Sequence, residues 1–154
     1  MKNAKHVLFV CTGNSCRSIM AEAYLKKRSN EEALGIETRS AGILGIEGMD
    51  PSENTKMILE EAGIDTEGYG SSALTEELVR WADIILVMEP LHKERIISID
   101  PSAGAKTFML GEFNENANEP GIPDPIGRPL IFYRFTFDFI KDSIEGFLRW
   151  LEKK

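Results

Sequence analysis

The sequence predicts an α/β fold: a small doubly wound sheet of four parallel strands with helices on both faces. Three observations predict it. Short runs rich in β-formers recur along the chain, separated by segments of helical period. Most of these runs are apolar throughout rather than alternating, which suits strands covered on both faces. The 154 residues, 42% hydrophobic and 28% charged, can bury one core without disulfides or metal, so 1–154 reads as a single domain.

The elements follow in order. His6 to Val10 is a buried strand. Ser18 to about Arg28 is a helix in which Ile19, Met20, Ala23 and Tyr24 share a face. Lys26, Lys27 and Arg28 then fall at its C-terminal end, where cations are favoured. Ile36 to Gly42 alternates and is the second strand. Residues 51–64 form a helix with Pro51 near its start and Gly63 as its stop. Residues 74–82 form another, with Thr75 as N-cap followed by two acids. Asp83 to Met88 is the third strand, 90–99 a helix and 106–110 the fourth strand. Residues 111–129 are loop by composition. From Leu130 to Trp150 the chain is helical, with Phe135, Phe139, Ile140, Ile144, Phe147, Leu148 and Leu151 at core spacing. Phe132, Tyr133 and Phe137 are expected to be partly exposed, and some of them to line a dimer contact.

Ligands in such folds bind beyond the carboxyl ends of the strands. Just past the first strand lies Cys11-Thr-Gly-Asn-Ser-Cys-Arg-Ser18. A strand, a short loop and a helix N-terminus make an anion trap from inward backbone N–H groups and the helix dipole. Gly13 tolerates positive φ and close approach, and Asn14 enters left-handed geometry readily. Arg17 adds a planar fork for two oxygens of a tetrahedral phosphate. Such surroundings favour thiolate at Cys11, and Ser18 can donate its hydroxyl to that sulfur. The combination points to a covalent phosphocysteine route. The blander alternative treats Cys11 and Cys16 as small core residues at a structural turn. It leaves Arg17 and the loop composition unexplained. The loop lacks the Gly-Lys-Ser/Thr of an ATP-binding P-loop.

The leaving group needs a proton and water must later be activated; one carboxyl group can do both. Three Asp-Pro pairs offer one: Asp50-Pro51, Asp100-Pro101 and Asp124-Pro125. Spacing alone does not choose. The first two abut helices as ordinary punctuation, whereas the third sits in the long loop, stiffened by Pro123 and Pro125.

Composition excludes other classes. A net charge of −7 argues against nucleic acid. No apolar run approaches a membrane span and no secretory pattern opens the chain, so the expectation is cytoplasmic. His6 and His92 stand apart with no Cys or His at ligand spacing, so no metal and no cofactor is expected. Two cysteines, both in the loop, fit a reducing compartment.

Residues 10–18, Val-Cys-Thr-Gly-Asn-Ser-Cys-Arg-Ser, resemble the signature of the low-molecular-weight protein phosphatase family, Cys-x5-Arg-Ser/Thr. Ser40-Ala-Gly42, residues 74–88 and Asp124-Pro-Ile-Gly127 fall in that family's order and spacing. The resemblance implies a metal-independent protein phosphatase, by family default a tyrosine phosphatase, acting on phosphorylated proteins and releasing inorganic phosphate. It implies Cys11 as nucleophile, Arg17 as phosphate ligand and Asp124 as general acid and base. Thr12, Gly13, Asn14, Ser15, Cys16 and Ser18 complete the phosphate loop, with Ser40 supporting Asn14. Cys16 would trap oxidised Cys11 as a reversible disulfide. A monomer or weak dimer is expected.

Three departures matter. Ile19 replaces the family's Pro after Arg-Ser, a mild loss. Tyr69 stands where many members have a His supporting the loop asparagine, so its hydroxyl is expected to take that part. At the pocket wall, Ser15, Ile126 and Gly127 replace the bulky and aromatic residues of tyrosine-specific members. A hydroxyl at the Ser15 position, as Thr, accompanies bacterial protein-arginine phosphatases. The wall therefore leans toward phosphoarginine. Arsenate reductase, the other chemistry on this fold, needs resolving cysteines far down the chain. A non-catalytic phosphoprotein-binding module would not need Cys11, Arg17 and Asp124 together.

Overall fold

A computed structural model describes residues 4–154. Four parallel strands carry the fold: β1 His6–Cys11, β2 Glu37–Gly42, β3 Ile84–Val87 and β4 Thr107–Met109, in the order β2-β1-β3-β4. Register runs from Val7 opposite Thr38 on one side and Ile84 on the other. The helices are α1 Arg17–Glu32, α2 Glu53–Glu61, α3 Glu76–Trp81, α4 Pro90–Ile99 and α5 Leu130–Glu152.

Alternation along β1 builds two cores. Val7, Phe9 and Cys11 face a cluster with Ile19, Met20 and Leu25 of α1, Leu59 of α2, and Ile140, Ile144 and Phe147 of α5. Leu8 and Val10 face Val79 of α3 and Ile96 of α4 on the opposite side. Phe9 and Phe147 are wholly buried; truncating either to Ala would cost about 3–5 kcal/mol. The chain leaves β1 toward β2 on one side and β3 on the other. The loop after β1 therefore sits where the winding reverses, the position where such sheets bind ligands.

The expected strands and helices are all present, and Thr75 and Ser52 cap α3 and α2 by accepting from Leu78 N–H and Thr55 N–H. Several details depart from expectation. α1 runs to Glu32, so Lys26, Lys27 and Arg28 lie before its last turn. They are balanced by acids instead: Lys27 pairs with Glu31, and Arg28 with Glu32 and Glu145. Two short 3₁₀ turns, Pro101–Lys106 and Leu110–Phe113, flank β4. On α5 the buried stripe is rotated. Tyr133 and Phe137 are buried, whereas Phe135 is 61% exposed and Phe132 41% exposed. The 3.6-residue period places Tyr133, Phe137, Ile140, Ile144 and Phe147 on one face, which leaves Phe135 opposite. Ile19, at the family's proline position, is a wholly buried core residue. Among the described residues no helix is long and apolar enough to cross a membrane.

Candidate active site

The loop is short because β1 ends at Cys11 and α1 begins at Arg17. No side chain caps α1, so its first-turn amides are available to an anion. Asn14 takes the left-handed conformation, φ 55°, and its N–H donates to Cys11 Sγ at 3.3 Å. The left-handed turn is thus made at Asn14, and the positive φ that Gly13 would tolerate is not used. Against the loop, the glycine that has no room for a side chain is Gly42 at the end of β2. A Cβ there would lie 2.8 Å from Thr12 O and 2.9 Å from Asn14 N. Gly42 thus lets β2 close against the back of the loop.

Cys11 Sγ lies 2.9 Å from Ser18 Oγ and is 2% exposed. The expected bias toward thiolate is not met: the donors are in place but do not prevail. Burial pushes the thiol up, and this outweighs the pull downward from Ser18, Arg17 and the Asn14 amide. Asn14 holds the loop through three partners. Its Nδ2 donates to Ser18 Oγ at 2.6 Å and Ser40 Oγ at 2.9 Å, and its Oδ1 accepts from Ser72 N–H at 2.8 Å. Tyr69, expected to support Asn14, does not join them. Its ring lies 5.9 Å from the Lys26 ammonium, and burial and the nearby Glu22 push its hydroxyl up to about 12.

Arg17 is 1% exposed. Its Nη1 donates to Glu89 Oε2 at 2.7 Å and to Ile122 O at 2.6 Å. Its Nη2 lies 3.5 Å from Thr12 Oγ1 and 3.6 Å from Asp124 Oδ2. Asp124 is therefore the Asp-Pro carboxylate that reaches the loop. Ile126 N–H donates to its Oδ1 at 3.1 Å, so the turn itself aims the side chain. Ile126 is 55% exposed and Ser15 is half-buried. Cys16 Sγ lies 3.4 Å from Ser52 Oγ and 3.8 Å from Tyr133 OH, and both cysteines are free thiols.

Two residues at the site were not anticipated. Glu89, immediately before α4, grips Arg17. His92, three residues on, is wholly buried; its Nδ1 accepts from Glu89 N–H at 3.1 Å. The ring proton is then on Nε2, which donates to Thr12 Oγ1 at 3.0 Å. Burial and the Arg17 guanidinium push His92 down to about 4, so the ring is neutral near pH 7. A signal for both was present: Glu89 follows the carboxyl end of the third strand, where the winding rule puts ligand contacts. Among the described residues no three His, Cys, Asp or Glu side chains gather to hold a metal ion.

A doubly wound sheet with a buried cysteine and arginine bracketing an anion loop, and an aspartate brought to the arginine, defines the class: a cysteine-dependent phosphatase. A model of the low molecular weight phosphotyrosine protein phosphatase family matches residues 6–154. The chain is 40% identical over 139 residues to a protein-arginine-phosphatase of Geobacillus stearothermophilus, covering 90% of each chain. It is 34% identical over 147 residues to the low molecular weight protein-tyrosine-phosphatase Etp of Escherichia coli (strain K12), covering 96% of this chain and 95% of that one. The solved YwlE arginine phosphatase from Geobacillus stearothermophilus has a TM-score of 0.86 at 38% identity, covering 97% of this chain and 94% of that one. The chain belongs to the low-molecular-weight phosphotyrosine protein phosphatase family.

Proposed function

We propose that the chain hydrolyses phosphorylated protein side chains through a phosphocysteine on Cys11, with phosphoarginine as its preferred substrate. One observation carries the chemistry. The guanidinium of Arg17 touches the Asp124 carboxylate at 3.6 Å, so nucleophile, anion holder and acid converge on one loop.

A phosphoryl group seated there accepts from the loop amides and from Arg17. The Cys11 thiolate attacks phosphorus, the bond to the leaving side chain breaks, and the protonated Asp124 carboxyl gives its proton to the departing atom. In the second step the Asp124 carboxylate takes a proton from water, whose oxygen attacks phosphorus. The S–P bond breaks and inorganic phosphate leaves. The released sulfur is a thiolate that accepts from Ser18, 2.9 Å away. Burial disfavours that anion, and the Ser18, Arg17 and Asn14 donors offset part of the cost.

The wall supports phosphoarginine. Ser15, Ile126 and Gly127 offer no aromatic face for a phosphotyrosine ring. A phosphoarginine guanidino group is thin and rich in N–H donors, and the Ser15 hydroxyl and Asp124 carboxylate are acceptors. The relative named as an arginine phosphatase agrees with this. The relative named as a tyrosine phosphatase keeps phosphotyrosine as the second reading. A reducing compartment such as the cytoplasm suits two free thiols in one loop.

Matched phosphoarginine and phosphotyrosine peptides test the substrate. The expected kcat/KM favours phosphoarginine by at least about tenfold, and Ser15→Ile moves the ratio toward phosphotyrosine by a similar factor. Inert phosphoarginine together with an unchanged ratio in Ser15→Ile would refute this reading.

A further inference from the structure

The hydrogen bonds behind Cys11 do not stop at Asn14. Ser18 and Glu22 stand one turn apart on α1 and share a face. Ser40, at the end of β2, donates from Oγ to Glu22 Oε1 at 2.5 Å. The bonds from Asn14 outward to Glu22 have a determined direction. Ser72 N–H occupies Asn14 Oδ1, so the Asn14 amide presents its two N–H groups to Ser18 Oγ and Ser40 Oγ. Each hydroxyl that accepts from Asn14 keeps its own proton to donate. The Ser40 proton goes to Glu22, and the Ser18 proton goes to Cys11 Sγ once the sulfur is a thiolate, which can only accept.

We propose that Glu22 is a positioning residue for the reaction: by accepting the Ser40 proton it sets the donor direction through Ser40, Asn14 and Ser18, so that Ser18 donates to the Cys11 sulfur. This rests on the reading of Cys11 as nucleophile. Without an acceptor at position 22 the Ser40 hydroxyl is free to turn its proton toward the Asn14 amide, setting donor against donor. Asn14 then loses one anchor, and Ser18 loses the partner that commits its own proton to sulfur.

Glu22 faces Lys26 from its own helix, Arg39 from β2 and Tyr69 from the loop before α3. Burial pushes its carboxyl up, while Ser40, Lys26 and Arg39 pull it down. A carboxylic acid protonated on Oε2 still accepts at Oε1, so the device depends on an acceptor and not on a charge. That separates it from a field effect. Removing a nearby negative charge would by itself lower the Cys11 pKa, whereas breaking the relay raises it.

Glu22→Gln and Glu22→Met test this, because they have similar length and only Gln retains a strong acceptor. The readout is the pH dependence of Cys11 alkylation by iodoacetamide, resolved by peptide mass spectrometry so that Cys16 is counted separately. Turnover of an aryl phosphate and thermal unfolding are measured beside it. Glu22→Met should raise the Cys11 titration midpoint by about half to one pH unit and lower kcat about 3–10-fold with KM little changed. Glu22→Gln should stay within about twofold of wild type in kcat, with its midpoint unmoved. Glu22→Met titrating like wild type, or Glu22→Gln shifting as far as Glu22→Met, would overturn the proposal. Should Glu22→Met fail to fold, Ser40→Ala breaks the same chain one link on and must show the same upward shift. The alkylation needs no substrate. The expected shift in a protein that hydrolyses nothing would refute the phosphatase reading and leave the relay standing; unshifted titration with intact turnover would do the reverse.

Discussion

The two sides of the Cys11 sulfur are built from different chemistry. Toward β2 it meets neutral groups, Ser18 at 2.9 Å and the Asn14 N–H at 3.3 Å, and behind them the Asn14 amide holds Ser18 and Ser40 at 2.6 and 2.9 Å. Toward α4 the loop meets charge: Arg17 held by Glu89, with Asp124 at 3.6 Å and a buried neutral His92 beside them. The neutral side is wired through short bonds that choose where protons point. The charged side leaves the Arg17 Nη2 with only longer contacts, at 3.5 and 3.6 Å, available to be exchanged for an anion. The division separates two tasks. In the proposed mechanism one side tunes the sulfur as nucleophile and leaving group; the other binds the phosphoryl group and moves the proton.

Perturbing the charged side tests that division. On this side Asp124→Ala should have the largest effect, lowering kcat about 10²–10³-fold while binding of vanadate or inorganic phosphate persists. Normal turnover, or lost oxyanion binding, would place Asp124 in a different role. Glu89→Gln keeps a hydrogen-bond acceptor near Arg17 and removes the charge. It should raise KM and the phosphate Kd about tenfold with a smaller change in kcat. An effect confined to kcat would mean that Glu89 serves the chemical step rather than the anion.

His92→Gln should have the smallest effect on turnover and a distinct one on stability. The ring titrates at about 4 in the fold against an ordinary value of 6.5. Between those values the unfolded chain binds a proton that the folded chain refuses. The stabilisation from the neutral ring is complete above pH 6.5 and is lost as pH falls toward 4. Wild-type Tm should therefore fall more steeply than that of His92→Gln from pH 6.5 to pH 4.5. Parallel curves would contradict a buried neutral His92.

Most of this site was legible from local pattern. The apolar run ending at Cys11 and the helix beginning at Arg17 brought the loop residues together by chain connectivity alone. Among the three Asp-Pro pairs, the Pro-stiffened long loop and the family resemblance pick out Asp124, and the approach of that loop to Arg17 is the contact that agrees with the choice. Glu89 and His92 escaped because an acid and a histidine around a proline read as an ordinary helix start, and the partners that make them functional lie about 70 to 80 residues away. Tyr69 was misassigned because position in the chain does not fix where a side chain points: its ring turns to Lys26 while the backbone of Ser72 serves Asn14. The rotated face of α5 has a similar cause. A helix rich in apolar residues on several faces admits more than one stripe, and packing against α1 and α2 selects the stripe with Tyr133 and Phe137.

The most direct test of the account is turnover by Cys11→Ser, measured with a phosphorylated peptide beside the binding of inorganic phosphate. The serine hydroxyl that takes the sulfur's place is a far poorer nucleophile and leaving group than a thiolate. Turnover should fall by at least about 10⁴-fold while the loop amides and Arg17 still bind phosphate. Retained turnover in Cys11→Ser would contradict the phosphocysteine route.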